Sequence, residues 1–309
     1  MIFRAVLYCF FVFLSTFIYS DKYKEVLQLA SEEHLPITAI FLGGDECPWS
    51  QKFTQEVLHD PEFIDQVNQE AILWVIPSPD SSLKERYALQ EYPQVVLLDP
   101  QGKEFARFGY LPMSAKEYLA EIAQTIKNFQ EICIALDQKE EVFCEEDWID
   151  LYKKAGQLSI PCFKQVILEK GLKKEKGTFF HLEKFAESLE KYKHRTSPVQ
   201  NLKKNLLKKD PHHKQGIHFK VALLEFKKLR SKAKSKQQCE KALKPLLRYV
   251  DHFAKKDPEN HWKAEMAMAE FLYEKQVLSS ALKHLKAAYL AAPEDIKPQI
   301  AKNLSLITE

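Results

Sequence analysis

Apolar and polar positions alternate between two periods along the first 130 residues of this chain and keep to one thereafter. Residues 22–33 recur at helical spacing, and Ile37-Thr38-Ala39-Ile40-Phe41-Leu42 is a β-branched and aromatic run closed by Gly43-Gly44, the pattern of a buried strand. Pro48 stands where a first helical residue tolerates proline, and Phe53, Val57 and Leu58 continue at helical spacing up to Asp60-Pro61. Strands are then predicted over Ala71–Ile76, Gln94–Leu98 and Lys103–Phe108, with a helix near Ser82–Gln90, a turn at Asp99-Pro100-Gln101-Gly102 and a helix over Ser114–Phe129. The expected order is α, β, α, β, α, β, β, α, an α/β domain.

Beyond about residue 131 the strand signals vanish. Amphipathic stretches separated by Gly156, Pro161, Gly177, Pro198, Asp210-Pro211, Gly216 and Asp257-Pro258 predict paired helices. In the last pair Ala281, Leu285, Ala288 and Pro293 fall at the spacing of the second helix of a tetratricopeptide repeat, and Asp257-Pro258 precedes Pro293 by close to that repeat's period of about 34 residues. Such a repeat cannot bury its face alone, so residues 145–309 are expected to form one all-α stack of helical hairpins resembling tetratricopeptide repeats, after a linker over 131–144.

Composition supports two folded parts. The chain has 309 residues, 45% apolar and 28% charged, with only 8 glycines, which suits long helices better than a turn-rich all-β protein. The net charge of +2 hides a split: residues 21–130 hold 9 basic and 18 acidic side chains, residues 131–309 hold 35 and 25. The lysines of the basic half are spread along helical patterns without interleaved aromatics, so a solvated face is expected and nucleic acid is not an expected partner.

Met1–Ser20 opens with Arg4 and runs through an apolar stretch to polar Asp21-Lys22, the layout of a cleaved signal peptide. The mature chain is therefore expected to be periplasmic or otherwise exported, with no stable membrane span once the signal is removed. Removing Cys9 leaves Cys47, Cys133, Cys144, Cys162 and Cys239, an odd number, so one thiol stays free or pairs outside the chain. If that thiol is Cys47, the other four either form two disulfides, in any of three connectivities, or stay reduced and buried.

Cys47 is the candidate for chemistry. A cysteine at the start of a helix faces unpaired backbone amides and the positive end of the helix dipole, which favour the nucleophilic thiolate. Asp45 and Glu46 oppose that effect, since nearby negative charge raises a thiol pKa. Phe41-Leu42-Gly43-Gly44-Asp45-Glu46-Cys47-Pro48-Trp49-Ser50-Gln51-Lys52, with Glu56-Val57-Leu58 and Asp60-Pro61-Glu62-Phe63, resembles the active-site helix of exported bacterial thioredoxin-like proteins, including those called thioredoxin disulfide isomerases. Tyr92-Pro93 and the residues through Glu104 resemble that family's cis-proline segment and β-hairpin, so the likeness covers residues 22–130.

The resemblance implies a thioredoxin-like fold over 21–130, a cis bond before Pro93, and substrate contacts from Trp49, Tyr92 and Pro93. Ser50 stands where the Cys-Pro-Trp-Cys pattern has its second, resolving cysteine. Without that exit a mixed disulfide must wait for a substrate thiol or an external thiol reductant. Ser50 could instead hydrogen-bond the Cys47 thiolate. The expected function is thiol–disulfide exchange on disulfide-containing exported proteins by a monothiol isomerase or reductase, with Cys47 as nucleophile and Ser50 as its support. The alternative is a non-catalytic interaction module with a degenerate thioredoxin fold and a helical-repeat tail. No cofactor and no metal are expected: adjacent His212-His213 lack a third ligand at a helical offset and read as solvent-exposed, as does His59. The sequence leaves a homodimer open.

Overall fold

A computed structural model describes residues 18–19, 23–139, 142–174, 176–192, 196–212 and 214–308. Nearly all of the expected signal segment, and His213 of the paired histidines, lie outside the described residues. The chain divides into two compact units, 1–174 and 175–309.

The first unit is built on a five-stranded sheet in the order β1-β3-β2-β4-β5, with β1 Ile18–Tyr19, β2 Ile37–Phe41, β3 Ile72–Ile76, β4 Gln94–Leu98 and β5 Glu104–Phe108. β2 is central, parallel to β3 and antiparallel to β4, and every one of its residues is buried, which explains its unbroken apolar run. One face of the sheet, carrying Ile37, Ala39, Phe41, Trp74, Val96 and Leu98, packs against Val26 and Ala30 of helix α1 (Tyr23–Glu33) and Leu83 of α4 (Ser81–Arg86). Tyr23, Phe41, Trp74 and Tyr87 form an aromatic cluster there, with ring centroids 5.5–6.4 Å apart. Helix α2 (Pro48–Phe53) runs into a π-turn at Thr54–Leu58, in which His59 N–H donates to Thr54 O at 2.9 Å.

Asp60-Pro61 ends that helix as expected and also begins another. Asp60 accepts from Glu62 N–H at 2.9 Å, and Pro61 opens α3 (Pro61–Glu70), a helix missing from the predicted order. A single Asp-Pro step punctuates two helices, and Phe63 and Val67 at helical spacing carry the second one's buried face. Predicted boundaries shift elsewhere too: α4 stops at Arg86, short of Gln90.

α5 (Ala115–Asp137) opens on a capping box of Ser114 and Glu117 and runs straight through the segment read as the start of a linker. Its later turns bury Ile132 and Ala135, and Phe129 stacks on Phe105 of β5 at 4.1 Å. α6 (Glu145–Ala155) and α7 (Pro161–Lys174) complete the unit: Asn128 donates to Gln157 at 2.8 Å, Lys154 pairs with Glu131 at 2.5 Å, and Ser159 N–H donates to Phe105 O at 2.7 Å. The division expected after residue 144 thus falls inside the first compact unit, because α5 is long enough to offer α6 and α7 a second packing surface.

The second unit is all-α: α8 (Phe179–Lys191), α9 (Ser197–Lys209), α10 (Ile217–Arg230), α11 (Lys236–Phe253), α12 (Pro258–Glu274), α13 (Leu278–Ala291) and α14 (Lys297–Thr308). Successive helices pack on one another around Phe226, Leu246, Met268 and Phe271, with Phe226 meeting Phe271 edge to face at 5.6 Å. Ala281, Leu285 and Ala288 are buried, as their spacing requires. Asp257 begins α12, accepting from Asn260 N–H at 3.3 Å and from the Tyr249 hydroxyl at 2.9 Å. Among the described residues no helix is long and apolar enough to cross a membrane.

Asp60→Ala leaves two amides of α3 uncapped and should lower stability by about 1 kcal/mol, read as a lower urea midpoint at unchanged slope. An unchanged midpoint would show that α3 is held by packing alone.

Candidate functional site

The site lies where β2 hands over to α2. Past Phe41, Leu42 N–H and Gly44 N–H donate to Ile76 O and Pro77 O, both at 2.8 Å, so the chain stays tied to the end of β3 until it turns. Gly44 turns it with φ +76°. Cys47 follows as the residue before helix α2, in extended backbone, and Pro48 takes the first helical position, where its missing N–H costs nothing.

Close approach fixes Gly43. A Cβ there would lie 2.9 Å from Cys47 Cβ, 3.0 Å from Tyr92 Cβ and 3.2 Å from Cys47 Sγ. Its N–H donates to Ser50 Oγ at 2.9 Å, locking the first turn of α2 to the end of the strand. Ser50 is 2% exposed, so this bond is sheltered from water. The Ser50 oxygen accepts from Gly43, which leaves the hydroxyl proton to be donated elsewhere.

Hydrogen bonding from the Ser50 side chain is the main reason the Cys47 thiol sits below its ordinary pKa; partial burial opposes it, and the amides of Ser50 and Trp49 reinforce it. Asp45 and Glu46 are exposed and do not contribute, and Asp45 is engaged through its carbonyl by the Gln51 side chain. By contrast, burial pushes the Cys133 thiol up, and the Asp147 carboxylate does the same to Cys144. All five described cysteines are free thiols, with Cys144 and Cys162 exposed and Cys133 and Cys239 half-buried, so the two-disulfide arrangement is absent and burial as small hydrophobes is incomplete.

Tyr92 and Pro93 meet Cys47 from the start of β4. The Tyr92–Pro93 bond is cis, Pro93 is buried, and Cys47 Sγ donates to Tyr92 O at 3.9 Å. Trp49 is 55% exposed and packs its ring against Tyr110, centroid to centroid 5.0 Å. The five residues singled out in the sequence, Cys47, Trp49, Ser50, Tyr92 and Pro93, therefore come together. Gly43 and Tyr110 were not singled out. Tyr110's signal is positional, since it lies two residues past the end of β5, which pairs with β4 beside the Tyr92–Pro93 step. His59 is exposed at the end of the π-turn, away from these contacts. Among the described residues no group of three or more metal-ligating side chains converges.

Residues 23–126 match a family described as a thioredoxin-like domain. Over 302 residues the chain is 30% identical to the thioredoxin-related protein DsbJ of Chlamydia pneumoniae, covering 92% of this chain and 86% of that protein. The chain belongs to the thioredoxin-related family of DsbJ. Over 119 residues it is also 25% identical to the disulfide bond reductase DsbH of the same organism, covering 35% of this chain and 72% of that one. A solved DsbH oxidoreductase is similar at 23% identity and a TM-score of 0.33, over 36% of this chain and 86% of that chain. Family membership places this chain, in general terms, among thioredoxin-related thiol–disulfide redox proteins, with a thioredoxin-like α/β domain followed by helices, and the likeness to DsbJ extends through the helical part.

Two measurements probe the geometry. Ser50→Ala should move the midpoint of the pH profile for Cys47 alkylation upward and slow the reaction at neutral pH, because the thiolate loses its main donor; an unmoved midpoint would place the stabilisation in the helix amides instead. Gly43→Ala should cost roughly 1–3 kcal/mol in the folded state by overpacking against Cys47 and Tyr92. Unchanged thermal stability together with unchanged alkylation would show that the junction yields freely.

Proposed function

We propose that the chain carries out thiol–disulfide exchange on exported, disulfide-containing proteins through a single thiol, as a disulfide isomerase or, with an external thiol, a reductase. The carrying observation is the convergence of Cys47 Sγ, the Ser50 hydroxyl and the Tyr92 carbonyl beside the cis Pro93, with no second cysteine at position 50. In this reading the Cys47 thiolate attacks one sulfur of a substrate disulfide and the other sulfur leaves as a thiolate, giving a mixed disulfide. A different substrate thiolate then attacks the substrate sulfur of that adduct, Cys47 leaves as a thiolate, and no electrons are gained or lost overall. Net reduction needs two external thiols: one displaces the remaining substrate thiolate from the Cys47 sulfur, the other displaces Cys47 from the resulting adduct, and the two leave joined as a disulfide.

Ser50 supports the thiolate in both its attacking and its leaving roles. Trp49, Tyr92 and Pro93 contact the substrate chain, and the helical residues 145–309, with the tetratricopeptide-like spacing at their end, hold the protein partner or a second copy. An N-terminal signal over about 1–20 delivers the chain to the oxidising compartment where such substrates occur.

Refolding of a scrambled disulfide protein tests this. Wild type should accelerate recovery, and Cys47→Ala should reduce it to the uncatalysed rate; equal rates for the two would leave the chain as an interaction module. Ser50→Cys supplies an internal exit, so mixed disulfides trapped by wild type should be released without added thiol. Adducts that persist in Ser50→Cys would show that position 50 cannot reach the Cys47 sulfur as a resolving thiol.

A further inference from the structure

The second unit contains a feature that the thiol site leaves unused. Helices α9, α10 and α11 enclose an open groove of about 630 Å³, within the size range of ligand clefts. Leu207, Val221 and Phe253 are among the apolar residues of its lining. Lys203 crosses to Glu225, with Nζ 2.6 and 2.8 Å from the two carboxylate oxygens, so that buried acid is already neutralised.

The other wall is different. Lys241, Lys244 and Arg248 are exposed and line the groove, and their charged groups make no ion pair among the described residues. Three, four and seven residues apart, they fall on one side of α11, and the stripe from Lys241 to Arg248 is about 10 Å long at the helical rise. The groove therefore combines an apolar lining with a row of three uncompensated cations.

We infer that this groove binds an extended acidic polypeptide segment of a client protein, one in which carboxylates alternate with apolar residues. Alternation follows from the geometry: successive side chains of an extended strand point to opposite sides, so carboxylates can face α11 while apolar side chains face the lining. About three residues span the cationic stripe. Base stacking is a poor match, because Phe253 is packed against His218 and Tyr249, and the Tyr249 hydroxyl is held by Asp257. A flat bilayer is a poor match for a concave site. The inference rests on the reading of the helical residues as the client-holding part, and it names the client's chemistry.

The probe is a fluorescein-labelled, cysteine-free peptide of alternating Glu and Leu, titrated with the full-length protein and followed by anisotropy. It should bind, its Gln-for-Glu counterpart should not, and affinity should fall between about 50 and 500 mM salt as exposed charges are screened. Lys244→Glu/Arg248→Glu should weaken binding by roughly tenfold or more, through loss of attraction and added repulsion. Lys232→Glu/Lys234→Glu changes net charge equally outside the groove lining and should leave binding intact, which separates groove contacts from overall charge. Equal binding of the Gln peptide, equal weakening by the two double variants, or equally tight and equally variant-sensitive binding of an oligothymidylate or of phosphatidylglycerol vesicles would overturn the proposal. Cys47→Ala should bind the peptide like wild type. In the wild-type chain, peptide binding without acceleration of refolding would fault the thiol reading, and accelerated refolding without peptide binding would fault the groove.

Discussion

The hydrogen bond from Gly43 N–H to Ser50 Oγ is the constraint on which the site depends. It joins the end of the central strand to the first turn of α2 across seven residues, and everything between is held by its two ends. Gly43 can make the bond because it has no Cβ: any side chain would collide with Cys47 and Tyr92 before the helix could close on the strand. The same bond orients the Ser50 hydroxyl, since an oxygen occupied as an acceptor has its proton directed away. What looks in the sequence like the loss of a redox cysteine is, in the folded chain, a buried hydroxyl that ties the helix to the strand.

Much of this was legible from residue order. The unbroken run Ile37–Leu42 marks a strand buried on both faces, and β2 is the strand flanked by β3 and β4. Pro48 marks the helix start, and it places Cys47 at the amide-rich end. The sign of the thiol shift was not legible, because its largest cause is the Ser50 side chain and not the adjacent acids Asp45 and Glu46. Short-range charge along a chain is a poor guide wherever the chain turns sharply, and here Gly44 turns it between the acids and the strand. The extra helix α3 escaped notice for a related reason: Asp60-Pro61 is a stop and a start at once, and only the cap geometry separates the two.

The reach of the first unit was the least legible feature. A break near residue 130 is natural from the change in charge and periodicity, yet α5 continues without interruption to Asp137. Phe129 explains this locally. Its ring lies flat against Phe105 on one side and stacks with Phe163 of α7 on the other, so one residue serves the sheet and the added helices together. A pattern of amphipathic helices shows that a face must be covered, not which earlier element covers it. That is long-range information, and periodicity carries none of it.

The electrostatic division of the chain gains meaning once the pairs are located. Some cations of the helical part are spent internally: Lys203 on Glu225, Lys228 on Glu190, Arg230 on Glu274. Exposed pairs of this kind add little to stability, whereas the buried Glu225 would be costly without its lysine. The remaining excess is spread over several helices, and the α11 stripe is the part of it that lines a groove. On the proposed single-thiol mechanism, there is little room at the Cys47 sulfur to choose among partners. Selection of partners then falls to surfaces elsewhere in the chain, and an apolar groove with an unpaired cationic wall is a surface of that kind.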